Sequence, residues 1–119
     1  MNTPVPTLPE LIDSLAADIE RDFSTGDKTE ARYATPGQEY PALHVSLYYS
    51  KGGTYYGPSR RGFYVSVSPY DNGYYHVSEG AQMFISPAEI TRVSKKAERD
   101  ARAELKAHNL YGLLENVLA

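Results

Sequence analysis

Two segments in the middle of the chain alternate apolar and polar side chains with a period of two, and nothing else in the sequence restricts the fold as strongly. In Leu43–Ser50, Leu43, Val45, Leu47 and Tyr49 fall on one side, and His44, Ser46, Tyr48 and Ser50 on the other. Phe63–Ser68 repeats the pattern, with Phe63, Val65 and Val67 opposed to Tyr64, Ser66 and Ser68. Successive side chains of an extended backbone point to opposite faces, so this period predicts half-buried strands. Lys51-Gly52-Gly53 and Gly57-Pro58-Ser59-Arg60-Arg61-Gly62 break the chain between them. Pro69-Tyr70-Asp71-Asn72-Gly73 predicts a turn after the second, since Asn and Gly accept positive φ. Tyr74–Ser78 and Ala81–Ile85 read as a third strand and a shorter fourth. Short turns between successive strands imply antiparallel neighbours, hence a meander.

Helical signals flank this block. Thr7-Leu8-Pro9-Glu10 predicts a helix start, with the Thr7 hydroxyl as cap, Glu10 three residues on, and Pro9 in the first turn where its missing N–H does no harm. Leu8, Leu11, Ile12, Leu15, Ile19 and Phe23 then recur as one stripe, with Asp13, Asp18, Glu20, Arg21 and Asp22 on the wet side and Gly26 as a stop. Residues 27–42 are punctuated by Pro36, Gly37 and Pro41; a connection so long leaves room for a short strand near Glu30–Ala34. Ser86-Pro87-Ala88-Glu89 predicts a second helix start. Ile90, Val93, Ala97, Ala101 and Leu105 form its narrow apolar stripe among ten charged side chains in 89–106. His108-Asn109 ends or bends it, and Leu110, Leu113, Leu114, Val117 and Leu118 make a short apolar terminal helix.

The expected architecture is α+β: an antiparallel three- to four-stranded meander flanked by an N-terminal helix and one or two C-terminal helices. It forms a single domain over 1–119, with 1–6 as an N-terminal tail and 110–118 as the terminal apolar helix. A chain of 119 residues buries roughly two thirds of its unfolded surface, enough for a core without staples. It has no cysteine, which removes disulfides, thiolate metal sites and thiol nucleophiles. The start Met1-Asn2-Thr3-Pro4-Val5-Pro6 lacks the basic and apolar runs of a signal peptide. No apolar stretch approaches the roughly 20 residues that span a bilayer. A cytoplasmic location without membrane contact is the expectation.

Catalytic patterns fail on inspection. His44, His76 and His108 are far apart and lack a second ligand at metal spacing. Gly57-Pro58-Ser59-Arg60-Arg61 misses the final Gly of a nucleophile elbow. In Lys51-Gly52-Gly53-Thr54 the Lys precedes the glycines, the reverse of a phosphate loop. Arg61-Gly62-Phe63-Tyr64-Val65-Ser66-Val67 echoes an RNA-recognition signature, but Phe63 and Tyr64 are adjacent and must point oppositely, whereas that signature sets two aromatics on one face. A non-enzymatic chain with no cofactor and no metal is expected.

Tyrosine is the compositional outlier: eleven Tyr stand beside three Phe and no Trp, and nine of the eleven lie between Tyr40 and Tyr75. Tyr48, Tyr64 and Tyr74 are expected on the outer sheet face, with Lys51, Tyr55, Tyr56, Arg60 and Arg61 in the loop between the first two strands. Tyr and Arg are enriched at protein–protein hot spots, so these eight residues form the candidate partner-binding set. The same residue types stack on and neutralise single strands, which keeps nucleic acid as the second reading, using the basic positions of the 92–106 helix as well. The net charge of −3 favours a protein partner. The alternative to both is that the tyrosines only tile a solvated face.

The run Tyr48-Tyr49-Ser50-Lys51-Gly52-Gly53, then Tyr56-Gly57, then Arg61-Gly62-Phe63-Tyr64-Val65-Ser66-Val67-Ser68-Pro69 resembles short proteins of bacteriophages and other mobile elements, over positions 48–69 of the chain. Those families bring no catalytic residues with them. The resemblance implies a phage-encoded inhibitor that binds and blocks a host defence complex, of anti-CRISPR or anti-restriction type, in the host cytoplasm. The terminal helix 110–118 either closes the core or forms a homodimer interface.

Overall fold

A computed structural model describes residues 6–25, 28–35, 41–53, 60–71, 73–75, 79–85, 94–105 and 108–119. Helix α1 (Leu8–Ser24) begins as its sequence requires: the Thr7 hydroxyl accepts from the Glu10 N–H at 3.4 Å. Thr7 also donates to the Glu10 carboxylate at 3.0 Å, so the pair is closed through side chains. The five residues Leu11, Ile12, Leu15, Ile19 and Phe23 are buried along one stripe, as their spacing predicts. Gly26, the expected stop, lies outside the described residues; the helix has ended by Thr25.

Strands β1 (Glu30–Tyr33), β2 (Ala42–Ser50), β3 (Gly62–Asp71), β4 (Tyr74–Tyr75) and β5 (Ala81–Ile85) form one antiparallel sheet in the order β1-β2-β3-β4, with β5 also on β3. Together with the helices at either end, this is the α+β architecture expected. The short strand near Glu30–Ala34 is β1. Leu43, Val45, Leu47, Phe63, Val65, Val67 and Ile85 project to the inner face and join one core with α1, α2 (Lys95–Leu105) and α3 (Leu110–Leu118). Each such side chain stabilises the fold by about 1.5–3 kcal/mol when fully buried.

Two strand assignments differ from the sequence reading. First, β3 continues through Pro69 and Tyr70 to Asp71, where a turn was expected. Second, β5 pairs with β3 rather than with its predecessor. Both β4 and β5 run antiparallel to the same edge of β3: Asp71↔Tyr74 and Tyr70↔Tyr75 at one end, Val67↔Ala81 to Phe63↔Ile85 at the other. The register shifts by three residues between the two stretches, a break that falls between Val67 and Tyr70 of β3. Pro69 sits opposite that break, the place along this edge where a missing N–H does least harm. The strand expected at Tyr74–Ser78 is present as β4 over Tyr74–Tyr75, and 76–78 lie outside the described residues.

The C-terminal helices also differ in detail. The cap predicted at Ser86-Pro87-Ala88-Glu89, with Ile90 and Val93, lies outside the described residues. Ser94, expected inside that helix, instead starts α2. Its hydroxyl accepts from the Ala97 N–H at 3.1 Å and its carbonyl from the Glu98 N–H at 3.0 Å. A serine side chain that satisfies a first-turn N–H favours a helix start over a helix interior. Asn109 caps α3 in the same way, accepting from the Gly112 N–H at 3.0 Å. Leu110, Leu113, Leu114 and Leu118 of α3 are buried in the core, so this helix closes it. Among the described residues no helix is long and apolar enough to cross a membrane.

Candidate partner-binding site

All three helices pack on the inner face, and among the described residues the other face is lined by side chains of the sheet itself. There Tyr48 and Tyr64 are direct cross-strand partners, and their rings stack with centroids 5.7 Å apart at 20°. Phe84 of β5 is the partner of Tyr64 on the other side, its ring tilted at 5.1 Å. The Arg60 guanidinium lies over the Phe84 ring, 3.9 Å from its centroid. The Tyr64 hydroxyl donates to the Arg60 carbonyl at 2.8 Å, which fixes the backbone entering β3. Gln82 donates to the Tyr48 hydroxyl at 2.5 Å. Burial pushes the Tyr48 phenol up from its ordinary value, with the neighbouring Tyr64 adding to the shift and the Gln82 bond opposing it. These residues form a cross-braced aromatic strip ending in a cation.

The expected site residues divide accordingly. Tyr48 is half-buried at the centre of the strip, and Lys51, Arg60 and Arg61 are exposed at its end. Lys51 and Arg61 each stand one step beyond the last β2–β3 pair, Ser50↔Gly62. Tyr55 and Tyr56 lie outside the described residues. Tyr64 shares the expected face but is only 6% exposed, so it supports the surface rather than offering one. Stacking on Tyr48 and Phe84 is the reason.

Tyr74 does not share that face. It pairs with Asp71, a position with the parity of Phe63, Val65 and Val67, because β3 runs to Asp71 before the chain turns back. Although 75% exposed, Tyr74 lies opposite a position seven residues along β3 from Tyr64, a separation of about 23 Å. It belongs to a different part of the surface.

Phe84 and Gln82 were not singled out from the sequence. The alternation within Ala81–Ile85 marks them as sharing a face, but only the β5–β3 pairing carries that face to Tyr64 and Tyr48. At the far end of the same face Arg32 lies over the Tyr70 ring at 4.8 Å. His44 is buried there with Nε2 3.1 Å from a Glu30 carboxylate oxygen, a structural placement. His76 lies outside the described residues. Among the described residues no group of three or more His, Cys, Asp or Glu is placed to hold a metal.

On α2, Lys95, Lys96 and Arg99 are exposed, but Arg102 is only 5% exposed. Its guanidinium donates to the Phe23 and Lys28 carbonyls, each at 2.8 Å, and to Glu98 at 3.0 Å. One of the basic positions considered for nucleic acid is therefore structural. A wide-mouthed cleft of about 490 Å³ between β5 and the start of α3 is lined by Gln82, Met83, His108 and Tyr111 among others. The His108 Nδ1 is 2.8 Å from the Glu104 carbonyl and so carries the proton, which ties the ring to the end of α2. No protein-family model, no curated protein and no solved structure matches the chain, so the arrangement of its side chains is the ground on which function is read.

Proposed function

We propose that the chain is a non-enzymatic binding module that acts by protein–protein contact. Its resemblance to short phage proteins makes a host defence complex, of CRISPR or restriction type, the proposed target. The observation that carries this reading is the strip itself: Arg60 held over Phe84, beside the Tyr48–Tyr64 stack, with Lys51 and Arg61 at the same end. Arg and aromatic side chains supply most of the energy of typical interfaces, and side chains already held in place lose less entropy on binding.

The nucleic-acid reading draws less support from the same geometry. Sequence-tolerant binding of single strands needs open ring faces on which bases stack. Tyr64 is buried between Tyr48 and Phe84, and one face of Phe84 is occupied by Arg60.

Replacing Tyr56, Arg60 and Arg61 together by Ala is expected to abolish capture of the partner from a lysate of the native host, with the far-ultraviolet circular dichroism unchanged. Equal capture by a folded triple variant would refute the placement.

A further inference from the structure

We infer that the Arg60 end of the strip receives carboxylates, so that the partner presents an acidic, Asp- or Glu-rich segment of protein there. This rests on the binding reading above and adds the chemistry of the other side.

The charge distribution comes first. The stretch 51–61 contains Lys51, Arg60 and Arg61 and no acidic residue, in a chain whose net charge is −3. The described residues around it, 48–53, 60–64 and 83–85, also contain no Asp or Glu.

Arg60 supplies the geometry. One face of its guanidinium is against the Phe84 ring and its backbone is held by the Tyr64 hydroxyl. Among the described residues none accepts a hydrogen bond or ion pair from its N–H groups. The edge of a guanidinium carries its donors in a fixed fork that matches a carboxylate bidentately. Stacking on an aromatic ring leaves that edge in place and limits the motion that would otherwise be lost on binding. Phosphate matches the same fork, but a nucleic acid gains most of its affinity from many phosphate contacts and from base stacking. Here three cations stand beside rings that already stack on one another, which favours a carboxylate-bearing protein.

The test uses the full chain and a defined probe, a hexaglutamate peptide, with a single-stranded oligothymidylate of equal charge as the competing probe. The side-chain Nε–H signal of Arg60 is followed by nuclear magnetic resonance. Saturable movement of that signal with hexaglutamate is expected, with stronger binding than to the oligothymidylate and loss at high salt. R60K keeps the charge and removes the fork, and is expected to weaken peptide binding about fivefold or more. F84L keeps Arg60 but takes away the ring beneath it and is expected to weaken binding as well. Backbone amide spectra verify that both variants are folded. No movement of the Arg60 signal, equal affinity in R60K, or tighter binding of the oligothymidylate would each overturn the inference. If hexaglutamate fails while the Tyr56/Arg60/Arg61 triple variant still loses its partner, the binding site stands and only its acidic complement is wrong.

Discussion

At the residue scale, two polar groups inside the structure do more for the fold than their sequence context suggests. Arg102 stands among the charged residues of α2, yet it is buried and binds two carbonyls where α1 ends and β1 approaches. Phe23 lies in the last turn of α1, whose carbonyls have no intrahelical partner, so the guanidinium caps that helix from a distant element. R102M fills similar volume but strands both acceptors. It is expected to lower stability by about 3 kcal/mol, read as a drop in the urea midpoint, whereas R99M on the exposed side should lie within about 0.5 kcal/mol of wild type. Asp22 is the second case. The Tyr33 hydroxyl donates to it at 2.8 Å, and this bond, with Lys28 and Arg21 beside it, holds the carboxyl below the usual carboxylate range against the opposing effect of burial. A depressed carboxyl contributes stability that is present above its unfolded pKa, about 3.9, and lost as pH falls through the folded value. D22N keeps an acceptor for Tyr33 and loses the titration, so its urea midpoint should fall less steeply than wild type below pH ~4. Parallel acid profiles would show that Asp22 contributes nothing there. Burial, and then Asp22, push the Tyr33 phenol well above its ordinary value. That contribution is present at neutral pH and is lost as pH rises through the folded value, which sets a matching alkaline limb. Neither residue was legible from sequence as structural. Asp22 falls on the side of α1 that the pattern assigns to water, and Arg102 is one charge among many until α2 is docked beside the end of α1.

At the element scale, the broken edge strand decides how the outer face is assembled. Alternation in β2 and β3 was readable because each strand is buried on one side throughout, so every second residue reports its environment. The pairing of β5 was not readable, since three extra residues in the edge strand shift its register without altering the local pattern of Ala81–Ile85. The same cause reversed the expected side for Tyr74: once β3 absorbs Pro69–Asp71, the residues beyond it change parity. Two glycines mark how closely these strands approach. A Cβ on Gly80 would lie 2.7 Å from the Val67 carbonyl oxygen and 2.6 Å from the Ser68 hydroxyl, against a strand that cannot yield. G80A is expected to cost about 2 kcal/mol, measured by urea unfolding. A Cβ on Gly62 would instead collide with the tip of the Phe84 ring, which can swing aside. Gly62 also holds a φ of +159°, where a side chain is strained, so G62A should cost stability and move the ring from beneath Arg60, seen as a change in the Phe84 ring-proton shifts. A G62A chain with unaltered Phe84 shifts would mean that the ring is not seated against Gly62 as described.

At the scale of the whole molecule, the balance between the two faces of the sheet determines what is left for a partner. The inner face is shared by three helices, and each contributes buried side chains to one continuous core. Among the described residues the outer face is lined by its own tyrosines, by Phe84 and by arginines lying over rings, with Lys51, Arg60 and Arg61 exposed at the end where β2 and β3 open. The terminal helix is the test of this division. Its sequence is apolar enough to serve either as the last wall of the core or as a strip between two copies of the chain. In the structure Leu110, Leu113, Leu114 and Leu118 are at most 7% exposed within a single chain, packed with residues of α1 and the sheet. At about 2 kcal/mol for each leucine removed from water, the helix accounts for a stabilisation comparable with the whole of a domain's usual margin, about 5–15 kcal/mol. A chain ending at residue 109 is then expected to lose its cooperative thermal transition. L114A, which opens a cavity at a fully buried position, should remain folded with a stability about 3 kcal/mol lower. A strip between copies would behave differently: the shortened chain would keep its transition and scatter light as half the mass of full length. Differential scanning calorimetry and light scattering on the two chains separate these outcomes, because only a helix that belongs to the core takes the fold with it when removed.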